Sequence, residues 1–386
     1  MLIIFCLSGL SVLAQTPNIR FNGFATLAYV RSDSEVDYYR AEPMNAGIND
    51  QGNMDRYSRY GLQLNVEMSP QTDFTIQVTG QGEHDYQDRY QPHVDWLYVR
   101  RQVTDNFQIK LGRLRMPNFL YSDTMLVGYT YPWLMPPDEA YMTVPISSIE
   151  ALDLLYTMQI KDYTFQIQAG VGTGESWHEQ NPSNGISTSI DWGNMKQSEY
   201  FQFQLSSDSL TARLGISHVL WDEVYVNANP DGSDLHYLKD AAVNFNSEGL
   251  RYDDQNFMFI MERTQFTVDE TNLQNYYVNV VGVYATAGYY ISPEWQAHLT
   301  YSTQQNYDIY INAVDKNKTF LIKHQNTKIL GVRHELDQGV SLKLEYRSVE
   351  VPDETAEATG FANRGHFLGA VDGAVNMYGL GVDVVF

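Results

Sequence analysis

The chain has 386 residues, a formal net charge of −22 at pH 7 and one cysteine, Cys6. The acidic balance argues against a nucleic-acid partner, for which a basic surface is expected, and a single cysteine excludes a disulfide framework or a thiolate metal site. No apolar run approaches the ~20 residues that a membrane-spanning helix needs.

The start of the chain predicts a secretion signal. Leu2 to Leu13 form a short apolar run, and Val12-Leu13-Ala14 is typical of a cleavage site with small residues. The positively charged start of such signals is missing, and a buried first helix is the alternative interpretation. We therefore divide the chain into a signal peptide, 1–14, and a single mature domain, 15–386.

Alternating apolar and polar residues predict β-strands along the mature chain, because successive side chains of a strand point to opposite faces. Tyr163, Phe165 and Ile167, for example, share one face, and polar residues lie between them. The predicted strands are 19–32, 57–69, 73–82, 93–104, 107–117, 150–160, 163–173, 197–206, 210–224, 246–253, 257–268, 276–291, 295–308, 323–336, 340–351 and 374–386.

Short polar turns and long connections alternate between these strands. Lys161-Asp162 is a short turn, whereas 33–56, 118–149 and 352–373 are long. Strands joined in this way run up and down, with short turns at one end and long loops at the other, as in outer-membrane barrels. A secreted soluble sandwich, the competing interpretation, has no reason to sort its loops by length.

The sequence therefore predicts an all-β fold, a transmembrane antiparallel up-and-down β-barrel of sixteen strands. The barrel is closed because lipid cannot satisfy the backbone groups of an open sheet edge. The strands on either side of Asp253-Asp254 form the weakest pair; without them the count is fourteen, and eighteen is the other alternative. A short helix is predicted over 234–244.

The third long loop, 118–149, is the most apolar connection. It carries Phe119, Tyr121, Tyr131 and Trp133, so it is too apolar to be left in water or to be disordered. A barrel of this size leaves an aqueous bore that strand side chains do not fill. We expect the loop to fold into the lumen and narrow it.

These features resemble Gram-negative trimeric porins over the whole mature chain, including the terminal Phe386. The segment 111–117 (LGRLRMP) and Tyr131-Pro132-Trp133 are similar to porins of marine γ-proteobacteria. The resemblance implies a homotrimer among outer-membrane lipids and lipopolysaccharide, passive diffusion of small hydrophilic solutes, and a C-terminal strand that the barrel-assembly machinery reads. The third-loop consensus of enteric general porins is absent, which leaves the solute preference open.

Strand faces also assign positions to charged residues. An Arg or Lys on the lipid face near the midplane costs ~2–4 kcal/mol, so charges out of phase with the apolar face are expected to line the bore. We expect basic wall residues to face acidic residues on or beside the loop and to set a transverse field; scattered charges paired with their neighbours are the alternative. The basic residues are Arg59, Arg213, Arg333, Lys343 and Arg347; the acidic ones are Asp123, Asp138, Glu139, Glu150 and Asp153.

Arg113 and Arg115 are in phase with the apolar face of their strand. Either Gly112 forms a bulge that turns them into the bore, where Asp123 or Glu139 would receive them, or they lie at a subunit interface. The bulge, which makes both arginines pore-lining, is the interpretation that we follow.

The nine histidines are dispersed without zinc spacing, so no metal or cofactor site is predicted. No Gly-x-Ser-x-Gly element marks a nucleophile, and the chain is not predicted to be an enzyme. The predicted function is a general porin. The alternatives are a porin specific for anions such as phosphate or dicarboxylates, and a barrel-embedded hydrolase or adhesin.

Overall fold

The alternating residues build a closed antiparallel β-barrel of sixteen strands, which we analysed as a computed structural model. The structure describes residues 18–38, 47–82, 90–141, 148–175, 189–192, 194–227, 235–268, 279–307, 324–352, 366–367, 371 and 373–386. The expected signal peptide, 1–14, lies outside the described residues and stays a prediction.

The strands are numbered in chain order, and the eighth consists of two segments that both pair with the ninth. They are β1 (Asn18–Ser32), β2 (Arg59–Ser69), β3 (Thr72–Gln81), β4 (His93–Gln102), β5 (Phe107–Arg115), β6 (Ser148–Ile160), β7 (Tyr163–Glu175), β8 (Ser189–Trp192 with Asn194–Ser206), β9 (Leu210–Asn227), β10 (Leu235–Asp253), β11 (Phe257–Val268), β12 (Asn279–Ser292), β13 (Trp295–Tyr307), β14 (Gln325–Asp337), β15 (Val340–Glu350) and β16 (Ala374–Val385).

Each strand pairs with the next, and β1 closes the barrel against β16, with Phe24 opposite Val385 and Ser32 opposite Met377. The predicted closed barrel is confirmed. Its weakest predicted pair is also present, because β10 and β11 meet at a tight turn where Asp253 lies opposite Met258.

The helix predicted over 234–244 is wrong. The residues from Leu235 onward belong to β10, which pairs with β9 over almost its full length. Ala241, Val243 and Phe245 are buried in alternation with more exposed neighbours. This period of two places every second side chain inside the barrel, an arrangement that a helix could not provide.

The two faces of the wall differ in the way that a lipid-facing barrel requires. On β1, Leu27 and Tyr29 are exposed outside while Ala28 and Val30 are buried inside. Exposed apolar side chains continue around the outer surface and form a belt, which is the surface that hydrocarbon solvates. No helix among the described residues is long and apolar enough to cross a bilayer.

The connection between β5 and β6 lies inside the barrel, as predicted. We call its described part, residues 116–141, the inward segment. It contains two 3₁₀ turns, Ser122–Thr124 and Gly128–Thr130, and one helical turn, α1 (Asp138–Tyr141). Trp133 at its centre has 0% of its surface exposed. The aromatic residues that made this loop unsuited to water are thus covered by the barrel wall.

Candidate channel constriction

Aromatic side chains seat the inward segment on one wall of the barrel. Trp133 donates its indole N–H to Oγ1 of Thr300 on β13 at 2.8 Å. Its ring meets that of Tyr284 on β12 edge-on, with 5.4 Å between centroids. Phe119 stacks on Tyr141 at 4.6 Å between centroids. The segment is therefore packed like a protein core, so its position is fixed by contact rather than by tethering alone.

Buried tyrosines of the segment add neutral hydrogen-bonding groups to this core. Burial raises the pKa of the Tyr121 and Tyr141 phenols above their ordinary value. Both hydroxyls therefore stay protonated at any physiological pH.

Basic residues of the wall hold the backbone of the segment. Arg59 on β2 donates from Nε to the carbonyl oxygen of Leu126 at 2.8 Å. Lys343 on β15 donates from Nζ to the carbonyl oxygens of Gly128 at 2.6 Å and Trp133 at 2.7 Å. An irregular segment inside a barrel has carbonyls without ladder partners, and these cations satisfy them.

Two further arginines continue the same pattern. Arg347 donates to the carbonyl oxygen of Met135 at 2.8 Å. Arg213 on β9 donates to the carbonyl oxygens of Pro117 at 2.7 Å and Leu120 at 3.3 Å. Both arginines are buried. Four of the five basic wall residues, Arg59, Arg213, Lys343 and Arg347, thus point into the barrel and donate to the backbone of the inward segment.

The acidic residues of α1 are fastened to the same wall. Asp138 accepts a hydrogen bond from the Tyr38 hydroxyl at 2.9 Å and lies 3.7 Å from the Arg347 guanidinium. Glu139 accepts a hydrogen bond from the Gln325 amide at 2.6 Å. Both carboxylates are fully buried. They hold the segment in place and do not line the open part of the lumen.

Asp153 is buried on the inner face of β6. Its carboxylate accepts hydrogen bonds from the Tyr200 hydroxyl and the Gln168 amide, each at 2.7 Å. Its side chain points into the barrel, and Lys110 lies 4.0 Å away.

Arg113 and Glu150 lie on the outer face, which was the alternative interpretation for Arg113 and was not expected for Glu150. They are opposite in register, form an ion pair at 3.0 Å, and are in phase with the exposed Leu111. The expected face-changing bulge at Gly112 is absent, because the registers of β5 with β4 and β6 run on without interruption. Gly112 has φ +137°, and a Cβ there would meet the Leu97 carbonyl oxygen at 2.1 Å. It is needed for close approach of strands and leaves the faces unchanged.

Arg115 does turn inward, at the end of β5. It reaches Oδ2 of Asp95 at 2.8 Å and the carbonyl oxygen of Ser122 at 3.4 Å. The bulge that allows this lies in β4, where the register with β3 shifts at Asp95. The predicted anchoring of the segment by this arginine is therefore made through Asp95, in place of Asp123 or Glu139.

The inner wall near the short-turn end carries basic side chains that are paired with acidic neighbours. The pairs are Arg20–Glu67 at 2.8 Å, Arg100–Asp73, Lys110–Asp153 at 4.0 Å, Arg251–Asp253 at 3.0 Å and Arg333–Glu335 at 3.1 Å. Arg333, predicted as part of the basic wall, is thus neutralised by its neighbour on β14. These pairs leave little net charge on this part of the wall.

Asp123 is different from the other acidic residues of the inward segment. It lies in the first 3₁₀ turn and is exposed. Within the described part of the chain, its carboxylate forms no ion pair and accepts no hydrogen bond. It borders a cavity of about 800 Å³ beneath the segment. The cavity is lined by Asn22, Gly23, Phe24, Gln63, Gln77, Trp96, Asp123, Thr124, Val127, Tyr129, Gln338, Gly339, Val385 and Phe386.

Asp383 is a site residue that the sequence analysis missed. It is buried on β16, 2.8 Å from Lys343, and accepts a hydrogen bond from Thr26 at 2.6 Å. The sequence does contain a pattern that marks this residue. Asp383 follows glycines on the polar face of the last strand and lies between Val382 and Val384. In the described ranges, no three His, Cys, Asp or Glu side chains gather as a metal site.

Gly282 on β12 offers a test of how the segment is seated. A Cβ at this position would meet the carbonyl oxygen of Glu139 at 2.0 Å. Gly282→Ala is expected to lift α1 from the wall and to destabilise the barrel by about 1–3 kcal/mol, as overpacking does. Gly288→Ala on the same strand is the control, because its Cβ would meet the flexible end of Met258. Equal denaturant midpoints for the two variants would contradict this seating.

Comparison with known proteins identifies the fold of this chain. No protein-family model and no curated protein matches the chain. Among solved structures, OmpT of Vibrio cholerae in its trimer form aligns with TM-score 0.57 and 12% identity over 96% of this chain and 100% of that chain. The anion-selective porin from Comamonas acidovorans aligns with TM-score 0.56 and 13% identity over 96% and 100%. Salmonella typhi OmpF in complex with daunomycin aligns with TM-score 0.55 and 11% identity over 95% and 97%. At these identities the likeness shows a porin-like barrel fold.

Proposed function

We propose that this chain is an outer-membrane channel for passive diffusion of small hydrophilic solutes and ions, with a preference for cations. The observation that carries the proposal is the inward segment, which is held inside the barrel by hydrogen bonds with β2, β9, β13 and β15. It occupies part of the lumen, and its residues Asp123, Thr124, Val127 and Tyr129 border a cavity of about 800 Å³. A barrel of sixteen strands is wide enough for an aqueous passage, and a segment fixed inside it sets the width of that passage.

The proposed cation preference follows from the positions and partners of the charged side chains in the lumen. Lys343, Arg347 and Arg333 are paired with carboxylates, and Arg59 and Arg213 are buried against the inward segment. Asp123, by contrast, is exposed and forms no ion pair with any described residue. A unit charge attracts a counter-ion about 4 Å away in water by about 1 kcal/mol, roughly a fivefold change in local concentration. The charged lining of a pore selects ions through this attraction.

The anion-specific alternative has less support. One structural neighbour is an anion-selective porin, but this chain would need free basic residues in its passage. Arg59, Arg213, Lys343 and Arg347 are buried against the inward segment. A chloride preference in reversal-potential measurements would nevertheless restore that alternative.

The setting of the channel completes the proposal. The chain is exported by a cleaved signal peptide, inserted by the barrel-assembly machinery through the strand that ends at Phe386, and surrounded by lipid and lipopolysaccharide. It assembles as a homotrimer, as the trimer form of a structural neighbour suggests. It acts on no substrate chemically; lipase and protease assays on the purified barrel test the hydrolase alternative, and receptor binding by its long loops tests the adhesin alternative.

Planar-bilayer recording tests the channel. The purified protein is expected to give stepwise conductance, with events in groups of three for a trimer, and a reversal potential in a KCl gradient that favours K⁺. Asp123→Asn is expected to lower the K⁺ over Cl⁻ permeability ratio several-fold, by up to about fivefold. Asp208→Asn, in an exposed turn between β8 and β9, is the matched control. Absence of conductance, or an unchanged ratio in Asp123→Asn, would contradict the proposal.

A further inference from the structure

The cavity beneath the inward segment has a mixed lining that a simple water-filled passage does not need. Asp123 supplies a carboxylate that forms no ion pair with any described residue, while Trp96 and Phe24 supply aromatic surface. The amides of Gln63 and Gln77, joined by a hydrogen bond of 2.8 Å, are uncharged. Such a lining combines negative charge with apolar faces.

The position of Trp96 depends on the irregularity in β4. The register between β3 and β4 shifts so that Gln77 pairs with Trp96 and Val78 pairs with Val94. Asp95 is the additional residue, and both it and Trp96 are directed into the barrel. A bulge re-aims a side chain in this way. Trp96 is therefore placed in the passage although regular alternation with Asp95 would put it in lipid.

A contact between a cation and an aromatic ring lies at the edge of this cavity. The Arg333 guanidinium carbon lies 4.6 Å from the centroid of Tyr129, which borders the cavity. Its charge is balanced by Glu335 at 3.1 Å. Among the described residues no cation lies over the Trp96 ring, whose ring neighbour is Tyr98 at 6.3 Å between centroids. Indole is the best of the aromatic rings at binding cations, especially quaternary ammonium groups.

We propose that this cavity is a binding site for small organic cations, primary amines or quaternary ammonium ions, with Asp123 as the counter-charge and the indole of Trp96 as the apolar partner. The inference rests on the proposed channel and names the solute class that its passage retains. Small inorganic cations need only the carboxylate. An organic cation loses part of its hydration shell on entry, and the aromatic faces compensate for that loss.

Current block by tetramethylammonium tests the site. Added to symmetric KCl, tetramethylammonium is expected to reduce the single-channel K⁺ current in wild type at concentrations where equal added Na⁺ does not. Trp96→Leu is expected to weaken the block about two- to fivefold while leaving the K⁺ over Cl⁻ permeability ratio unchanged. Asp123→Asn is expected to reduce both the block and the ratio. Trp295→Leu, on the outer face at the short-turn end, is the control.

The outcomes separate this inference from the channel itself. Block that is the same in Trp96→Leu and wild type overturns the organic-cation site, whatever the ion selectivity. If the barrel does not conduct, the thermal midpoint of the detergent-solubilised protein is measured with tetramethylammonium and with K⁺. A rise specific to tetramethylammonium that Trp96→Leu removes supports the site without the channel, and its absence overturns the site.

Discussion

Replacing Lys343 with methionine is expected to release the inward segment and to lower the stability of the barrel by about 3–5 kcal/mol, the cost of breaking a buried ion pair from one side. Lys343 is 1% exposed and lies 2.8 Å from Asp383. Its removal leaves that carboxylate buried without its cation and takes one donor from each of the carbonyls of Gly128 and Trp133. Methionine keeps most of the side-chain volume, so the change is electrostatic.

The measurement has two parts. Unfolding in denaturant gives the loss of stability, and planar-bilayer recording is expected to give larger and noisier single-channel currents as the segment leaves the wall. Lys328→Met is the matched control, because Lys328 is exposed on the outer face of β14. Adding Asp383→Asn to Lys343→Met is expected to recover part of the stability, since the remaining buried group is then neutral and can still bond Thr26. A Lys343→Met protein with wild-type stability and current would contradict the role given to this lysine.

The barrel could be predicted because its signal repeats. Each strand shows a period of two, and the alternation of short and long connections gives the up-and-down order. Closure between β1 and β16 then follows, because lipid cannot satisfy the backbone groups of an open sheet edge. The inward course of the third loop could be predicted too, because residues such as Trp133 and Phe119 must be covered. All of these inferences use residue types and spacing, which the sequence provides directly.

The role of the basic wall could not be predicted in the same way. The sequence shows that Arg59, Arg347 and Lys343 point inward, but their partners are backbone carbonyls of the inward segment. Every residue has a carbonyl, so no sequence pattern marks the ones that lack a partner. The transverse field was expected from side chains facing each other, whereas the segment lies directly against the cations.

Irregular strands explain the remaining differences. On β4 the exposed apolar residues are Val94, Leu97 and Val99, a series that changes phase by one residue at Asp95. The sequence does not mark this change, because Val94, Trp96 and Tyr98 alternate there without interruption. Gly112 was expected to form a bulge because two arginines follow it closely. In the structure it only allows close approach to Leu97.

The outer belt is the part of the structure on which the membrane setting depends, and Leu330→Arg tests it. Leu330 lies near the middle of β14 on the outer face and is 55% exposed. In a soluble β protein, arginine at so exposed a position would be tolerated. In a barrel that spans a bilayer, it is expected to cost ~2–4 kcal/mol near the midplane.

Depth dependence makes this test specific to lipid. Asn326 lies on the same face of β14, four residues toward the long-loop end, and Asn326→Arg is expected to cost only about 0–1 kcal/mol because the side chain reaches the interface. Both variants are refolded into lipid vesicles and unfolded by denaturant. A larger cost for Leu330→Arg in vesicles than for Asn326→Arg supports a belt solvated by hydrocarbon. Equal costs at the two depths would mean that water covers the outer face. That result would contradict a channel that spans a membrane.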